Sequence, residues 1–65
     1  MCQGLPCVGA RVELTRTFRT PEGEEIKLGT RGVIKEEHRI AREVTVDFPE
    51  LRRTARIPEN YLKAL

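Results

Sequence analysis

The sequence predicts a small all-β domain, a strongly twisted barrel of four to five short strands with a C-terminal helical turn. Two segments alternate apolar and polar residues with the period of a half-buried strand: ARVEL at residues 10–14 and EVTVDF at residues 43–48. Glycine and proline interrupt the chain between such segments. So few short strands are best accommodated in a closed barrel, because closure leaves little of any strand edge exposed.

The four predicted strands differ in how clearly the pattern marks them. ARVEL directs Ala10, Val12 and Leu14 to one face and Arg11, Glu13 and Thr15 to the other. EVTVDF directs Val44, Val46 and Phe48 inward and Glu43, Thr45 and Asp47 outward. Two shorter runs complete the set: GVIK at residues 32–35, and TARI at residues 54–57 with Ala55 and Ile57 facing the core.

The connections between these strands carry turn residues. A long loop at residues 18–30 has a turn at Pro21–Gly23. Residues 36–42 join the second and third strands, although KEEHRIARE at residues 35–43 also allows a helix without an apolar stripe. Residues 58–65 begin with Pro58 at a first helical position, which predicts a single helical turn.

Two glycines have structural roles that the pattern predicts. Gly29 allows a positive φ in the turn before the second strand, and Gly32 allows another segment to pass close to the backbone. The stretch GTRG lacks the Lys-Ser/Thr pair and the long helix of a phosphate-binding loop, so we interpret these glycines as structural.

Length and composition restrict the class of protein. The chain has 65 residues and a formal net charge of +2, which predicts one domain with a small core and neither demands nor excludes a nucleic-acid partner. No apolar run is long enough to span a membrane, and no signal-peptide pattern opens the chain, so we expect a cytoplasmic protein. In that compartment the two cysteines are expected to be thiols. We divide the chain into a flexible N-terminal segment, residues 1–8, and the barrel, residues 9–65.

The order of these segments resembles an SH3-like barrel. VGARVELTR, KLGTRGVI, VTVDF and RIPENYLKAL follow one another as in that superfold and cover nearly everything after Cys7. The glycine-marked second strand resembles that of KOW-type domains, of the photosystem I E subunit and of nitrogen-fixation accessory proteins of the NifZ type. These resemblances imply a binding module that docks onto a larger complex, or, for KOW-like barrels, one that binds RNA or DNA.

RIPENYL resembles the Pro-x-x-Tyr turn of eukaryotic SH3 domains, and Pro58 and Tyr61 match the two residues that line a groove for proline-rich peptides there. The ALYDY-like segment and the tryptophan of that groove are missing, so little aromatic surface remains for a polyproline ligand. We expect the Tyr61 ring to pack on the barrel end with its hydroxyl in water.

The opening residues, MCQGLP, resemble the N-terminus of hydrogenase-maturation chaperones of the HypC type. In that family the cysteine after the initiator Met holds an iron fragment, which carries over to Cys2 as a metal ligand. VTVDFPELRRTARI loosely resembles a later stretch of that family, but its His-x-Gly-Phe-Ala segment is missing. A frayed tail with incidental cysteines is the other interpretation.

Taken together, the sequence predicts a non-enzymatic binding module without a cofactor. The chain has no serine, and nothing in the sequence identifies a nucleophile that could work with His38 as its base. A barrel of this size also offers no deep pocket for a substrate. The expected partner is a protein and not a membrane, with nucleic acid as an alternative through the cluster Arg52, Arg53 and Arg56, and metallocentre assembly through Cys2 as a second one. The predicted partner-binding residues are Arg19, Glu24, Lys27, His38, Arg52, Arg53, Arg56 and Tyr61.

Overall fold

The computed structural model describes residues 7–65 of the chain. These residues form seven strands and one 3-10 turn: β1 (Arg11–Leu14), β2 (Phe18–Arg19), β3 (Glu25–Ile26), β4 (Arg31–His38), β5 (Glu43–Phe48), β6 (Arg53–Pro58), the 3-10 turn Glu59–Tyr61, and β7 (Leu62–Ala64). Within the described part of the chain, no helix has the length and apolar character needed to cross a membrane.

Five strands form one antiparallel sheet in the order β6-β5-β4-β1-β7, and β2 pairs with β3 as a separate hairpin. The all-β prediction is therefore confirmed. Consecutive strands pair through β4, β5 and β6, while β1 lies between β4 and the last strand, β7. Both ends of the described chain thus meet at β1.

The core lies on one face of this sheet. Its buried side chains are Val12, Leu14, Ile26, Ile34, Val44, Val46, Phe48 and Ile57. The predicted alternation of the ARVEL and EVTVDF strands is confirmed, and Ala10 and Ala55 pack half-buried against the core as expected. Ile26 is a core residue that the sequence pattern did not predict.

Strand β4 is twice as long as the predicted GVIK segment. It runs from Arg31 to His38 and pairs with β5 from Val33 to His38. Residues 36–38 are therefore strand, and the helical alternative for residues 35–43 is wrong. The register shifts between Ile34 and Glu36. Such a bulge breaks the period of two, which explains why the alternation in the sequence stops at Lys35 although the strand continues.

The long loop at residues 18–30 contains the β2–β3 hairpin. Phe18 pairs with Ile26 and Arg19 with Glu25, around the predicted turn at Pro21–Gly23. Each strand has two residues, which is too short to show alternation. The burial of Ile26 and the turn chemistry, not a sequence period, hold this hairpin to the core.

The C-terminal segment begins with a helical turn but does not end with one. Pro58 has φ −59° and ψ 137°, so it is the last residue of β6 and caps the 3-10 turn from outside, contrary to the predicted first helical position. Leu62 then returns to extended backbone, and β7 pairs with β1. β7 forms here because the free edge of β1 presents backbone N–H and C=O groups that need hydrogen-bond partners.

The predictions for Gly29 and Gly32 are both confirmed. Gly29 has φ +87° in open surroundings. A Cβ at Gly32 would lie 2.5 Å from Val46 Cγ1 and 2.6 Å from the carbonyl oxygen of Asp47. Gly32 therefore lets β4 approach β5 more closely than any other residue would allow.

Candidate docking surface

A cleft of about 380 Å³ separates the β2–β3 hairpin from the edge strand β6. Its apolar residues include Phe18 and Ala55, both of which pack against the core. Charged side chains lie around them. The full lining consists of Phe18, Thr20, Pro21, Glu22, Glu43, Arg53, Thr54, Ala55 and Arg56. An apolar floor with a charged rim is the usual build of a protein–protein contact surface.

The hairpin wall of the cleft is held by Thr20. Its side chain is buried at 4% exposure, and its backbone N–H donates to the carbonyl of Glu24 at 2.8 Å. Its hydroxyl accepts from the Glu24 N–H at 3.1 Å. Gly23, with φ +92°, closes the turn by donating to the Thr20 carbonyl. These bonds fix the turn that carries Glu22 and Glu24.

Two arginines of β6 form the ionic rim. Arg53 forms ion pairs with both glutamates of the hairpin turn, with Nη2 3.2 Å from Glu22 Oε1 and Nη1 against Glu24 Oε1. Arg56 Nε donates to Glu43 Oε1 on β5 at 2.5 Å. The cleft is thus crossed at one end by ion pairs between the hairpin and β6.

A second hollow lies beside the β4–β5 turn and shares Arg56 with the cleft. It is lined by Glu37, His38, Arg39, Ile40, Ala41 and Arg56. Nε2 of His38 lies 2.8 Å from the Thr45 hydroxyl, a hydrogen bond that holds the ring against β5. Ile40, in the turn, is completely exposed. Cleft and hollow together define what we call the docking surface.

The turns at either end of β5 share an unusual backbone feature. Each has four residues between paired strands, residues 39–42 and residues 49–52, and each ends in an arginine with positive φ. Arg42 has φ 55° and Arg52 has φ 53°. Such left-handed backbone is uncommon for a residue with a Cβ. Both turns are closed by a bond from the arginine N–H to the carbonyl three residues earlier.

The structure brings some of the predicted partner-binding residues together. Arg53 and Arg56 line the cleft, Glu24 pairs with Arg53, and His38 joins Arg56 at the hollow. The remaining four lie elsewhere. Arg19 pairs with Glu25 at 3.6 Å, Lys27 and Arg52 are exposed without an ion pair among the described residues, and Tyr61 packs against the core.

Tyr61 is occupied by neighbours within the chain. Its ring meets Phe18 edge to face, with centroids 5.5 Å apart, and the Arg16 guanidinium lies 5.2 Å from its centroid. The expected packing of the ring is therefore seen. Through Phe18, Tyr61 supports the floor of the cleft.

The predicted partner-binding residues did not include Phe18, Glu22, Glu43 or Ile40, although the predicted working surface covered the loop Arg19 to Leu28 and the hairpin around His38. The sequence did indicate that Ile40 is unusual, because it is the only large apolar residue in the charged segment 35–43. Glu43 was predicted to face outward, but nothing in the pattern paired it with Arg56. The Arg56–Glu43 and Arg53–Glu22 pairs join residues that are 13 and 31 positions apart in the chain. Only the strand register brings them together.

The fold clearly perturbs the charge of the Glu13 carboxyl. It lies between its register partners, Arg31 on β4 and Lys63 on β7, at 3.0 and 3.4 Å. The hydrogen bond from Arg31, followed by that from Lys63, lowers the pKa of the Glu13 carboxyl below its ordinary value. This triad ties β4, β1 and β7 together on the outer face of the sheet, away from the core.

The predicted metal ligand, Cys2, lies outside the described residues. Among residues 7–65, no three His, Cys, Asp or Glu side chains converge into a site that could hold a metal ion. Cys7 is disulfide-bonded, so the expectation of a thiol is wrong at this position.

Comparison with known proteins gives no match: no family model fits the chain, and no curated protein or solved structure is significantly similar to it. The interpretation of the docking surface therefore depends on its geometry and chemistry.

Proposed function

We propose that this chain is a non-enzymatic binding module, a small SH3-like barrel that docks onto a larger protein or protein complex. The strand order supports the SH3-like assignment. A hairpin lies within the long connection from β1 to β4, three consecutive strands pair in antiparallel fashion, and a 3-10 turn precedes a short last strand beside β1. The fold serves as a frame for the loops and edges around it.

The observation that carries the docking function is the continuity of the docking surface. Arg56 belongs to both the cleft and the hollow, so one surface extends from Phe18 past β6 to the exposed Ile40. Apolar contact area at Phe18, Ala55 and Ile40 alternates with charged groups. A partner protein can bury the former and hydrogen-bond to the latter.

The ion pairs weigh against the nucleic-acid alternative. Binding to phosphates needs cations whose charge is free to replace counterions. In the predicted cluster, Arg53 and Arg56 lie beside Glu22, Glu24 and Glu43, so this surface has no surplus of positive charge to attract a polyanion. Arg42 and Arg52 have no ion pair among the described residues, but they lie at opposite ends of β5, roughly 20 Å apart at about 3.4 Å per residue. They do not form a common patch.

Affinity capture from a lysate of the source organism tests this function. The tagged full chain is used with and without nuclease, and the captured protein is then purified and its affinity measured. We expect capture to survive nuclease. Ile40→Ser should weaken affinity at least about fivefold, because a buried apolar anchor contributes more than about 1 kcal/mol.

Val8→Ser is the matched control, since Val8 is 59% exposed and lines neither the cleft nor the hollow. Neither substitution should change the unfolding midpoint, because both side chains are exposed. Capture that disappears with nuclease, or equal losses for Ile40→Ser and Val8→Ser, would contradict the proposed function.

A further inference from the structure

The outer edge of β6 is open for pairing, and its geometry follows from the register. β6 lies at one end of the sheet and pairs only with β5. The N–H of Glu59 donates to the Arg42 carbonyl at 3.0 Å, one step beyond the Glu43–Pro58 pair. Hydrogen-bonded and non-hydrogen-bonded pairs alternate along an antiparallel ladder, so Pro58, which has no N–H, belongs to a non-hydrogen-bonded pair.

The same alternation turns the backbone groups of Thr54 and Arg56 away from β5. Both residues are exposed, and among the described residues no backbone group pairs with them on that side. Two residues spaced by two positions, each with one N–H and one carbonyl, are the unit that an added antiparallel strand uses. Pro58 ends this open edge because it cannot donate.

The opposite edge of the sheet, β7, offers fewer backbone groups for pairing with an added strand. β7 has three residues against the six of β6, and short edge strands are a common protection against pairing. β6 instead lines the cleft, with Phe18 and Thr20 of the hairpin across from it. An extended chain beside β6 would therefore have a backbone partner on one side and the hairpin, with the Phe18 ring, on the other.

We propose that β6 binds an extended acidic segment of the partner protein, which adds to the sheet as an antiparallel strand. This inference depends on the docking function proposed above and specifies the partner's chemistry. Residues of a strand alternate between its two faces. The residue opposite Ala55 therefore enters the cleft towards Phe18 and is apolar, while carboxylates lie opposite Arg53 and Arg56.

The charge of β6 selects an acidic segment. Residues 51–58, LRRTARIP, contain three arginines and no carboxylate. In the isolated chain Arg53 is paired with Glu22 and Glu24, whose side chains are 67% and 60% exposed. Exposed ion pairs are weak, so a carboxylate of the added strand replaces these glutamates at the guanidinium.

A second copy of this chain fits the edge less well. Antiparallel pairing of β6 with itself through the open groups of Thr54 and Arg56 would set Arg56 opposite Thr54 or Arg56 of the other copy. It would bring no carboxylate to the arginines, and like charges on neighbouring strands are destabilising. The acidic partner segment has the opposite effect, because each of its carboxylates faces an arginine.

The test titrates the labelled peptide Glu-Val-Thr-Glu, flanked by neutral residues, with the full chain and follows fluorescence anisotropy. In the antiparallel register its residues lie opposite Arg56, Ala55, Thr54 and Arg53, in that order. A peptide with Lys in place of both Glu is the charge control. We expect the acidic peptide to bind at least about tenfold more tightly, and equal or weaker binding overturns the proposal.

N-methylation of the peptide distinguishes strand addition from side-chain attraction. The peptide Thr donates its N–H to Thr54 of the protein, whereas the N–H of the peptide Val points away from β6. Methylating the Thr nitrogen should weaken binding about fivefold, the factor for one net backbone hydrogen bond. Methylating the Val nitrogen should have little effect, and equal losses at both positions contradict the added strand.

The hairpin glutamates give a test whose sign depends on the partner's charge. Glu22→Gln with Glu24→Gln frees Arg53 and should strengthen binding of the acidic peptide about two- to fivefold. Glu25→Gln is the matched control, because Glu25 lies on the same hairpin but pairs with Arg19. Weaker binding by the double variant would overturn the acidic assignment.

The two proposals fail in different ways. If the acidic peptide does not bind while nuclease-resistant capture still depends on Ile40, the docking function stands and the added strand is wrong. Nuclease-sensitive capture together with no peptide binding overturns both.

Discussion

The two faces of β5 consist of alternating residues of one six-residue strand, yet they contribute differently to the molecule. On the inner face Val44, Val46 and Phe48 are buried, and burying such a side chain contributes about 1.5–3 kcal/mol. On the outer face Glu43 and Thr45 make single polar contacts to Arg56 and His38. The exposed ion pair of Glu43 with Arg56 contributes about 0.2–1 kcal/mol. The inner face thus sets stability, and the outer face positions charged and polar groups.

The largest expected effect contrasts neighbours on opposite faces of β5. Phe48→Ala should destabilise the fold by about 3–5 kcal/mol, because it leaves a cavity in the core. That loss is about as large as the whole net stability that such a small core supplies. Asp47→Ala should change stability by about 0.5 kcal/mol or less, since Asp47 has no ion pair within the described part of the chain. Urea denaturation followed by circular dichroism measures both.

If Phe48→Ala has no folded baseline, Phe48→Leu provides a graded version with an expected loss of about 1 kcal/mol. Losses of similar size for Asp47→Ala and Phe48→Ala would remove the distinction between the faces.

A smaller effect tests how closely β4 and β5 approach. Gly32→Ala places a methyl group against Val46 and the Asp47 backbone, and overpacking of this kind costs about 1–3 kcal/mol. Gly29→Ala is the control: its surroundings are open, and its cost of about 1 kcal/mol comes from the positive φ alone. The thermal unfolding midpoints should rank wild type above Gly29→Ala and Gly29→Ala above Gly32→Ala. The reverse ranking of the two variants would contradict the close approach.

The smallest effect concerns the outer-face triad of Glu13. Because Arg31 and Lys63 lower the pKa of Glu13 in the folded chain, its contribution to stability is complete above the ordinary pKa of a glutamate. That contribution is lost as the pH falls through the lowered pKa. Glu13→Gln should therefore remove part of the acid-side decline in the unfolding midpoint and leave the slope near neutral pH unchanged. An unchanged acid-side slope in the variant would show that the triad does not stabilise the fold.

Prediction from sequence succeeded where side chains face a core and failed where pairing alone decides. Val12, Leu14, Val44, Val46 and Phe48 could be assigned because burial on one face imposes a period of two. The extension of β4, the β2–β3 hairpin and β7 could not, because their backbone bonds depend on the neighbouring strand rather than on their own side chains. The same holds at the docking surface, where Glu24 and the arginines of β6 were predicted, but Glu22, Glu43 and the pairing of these residues were not.

The amino-acid sequence by itself determined the all-β class, the inner face of the two alternating strands, and the need for glycine at positions 29 and 32. These properties follow from local sterics and from the burial of apolar side chains, which neighbouring residues specify. Tertiary structure alone decided that Arg53 meets Glu22 and Glu24, that Arg56 meets Glu43, and that β6 is left as an open edge beside a cleft. Those features depend on which strands pair and in what register, and residues far apart in the chain set that register together.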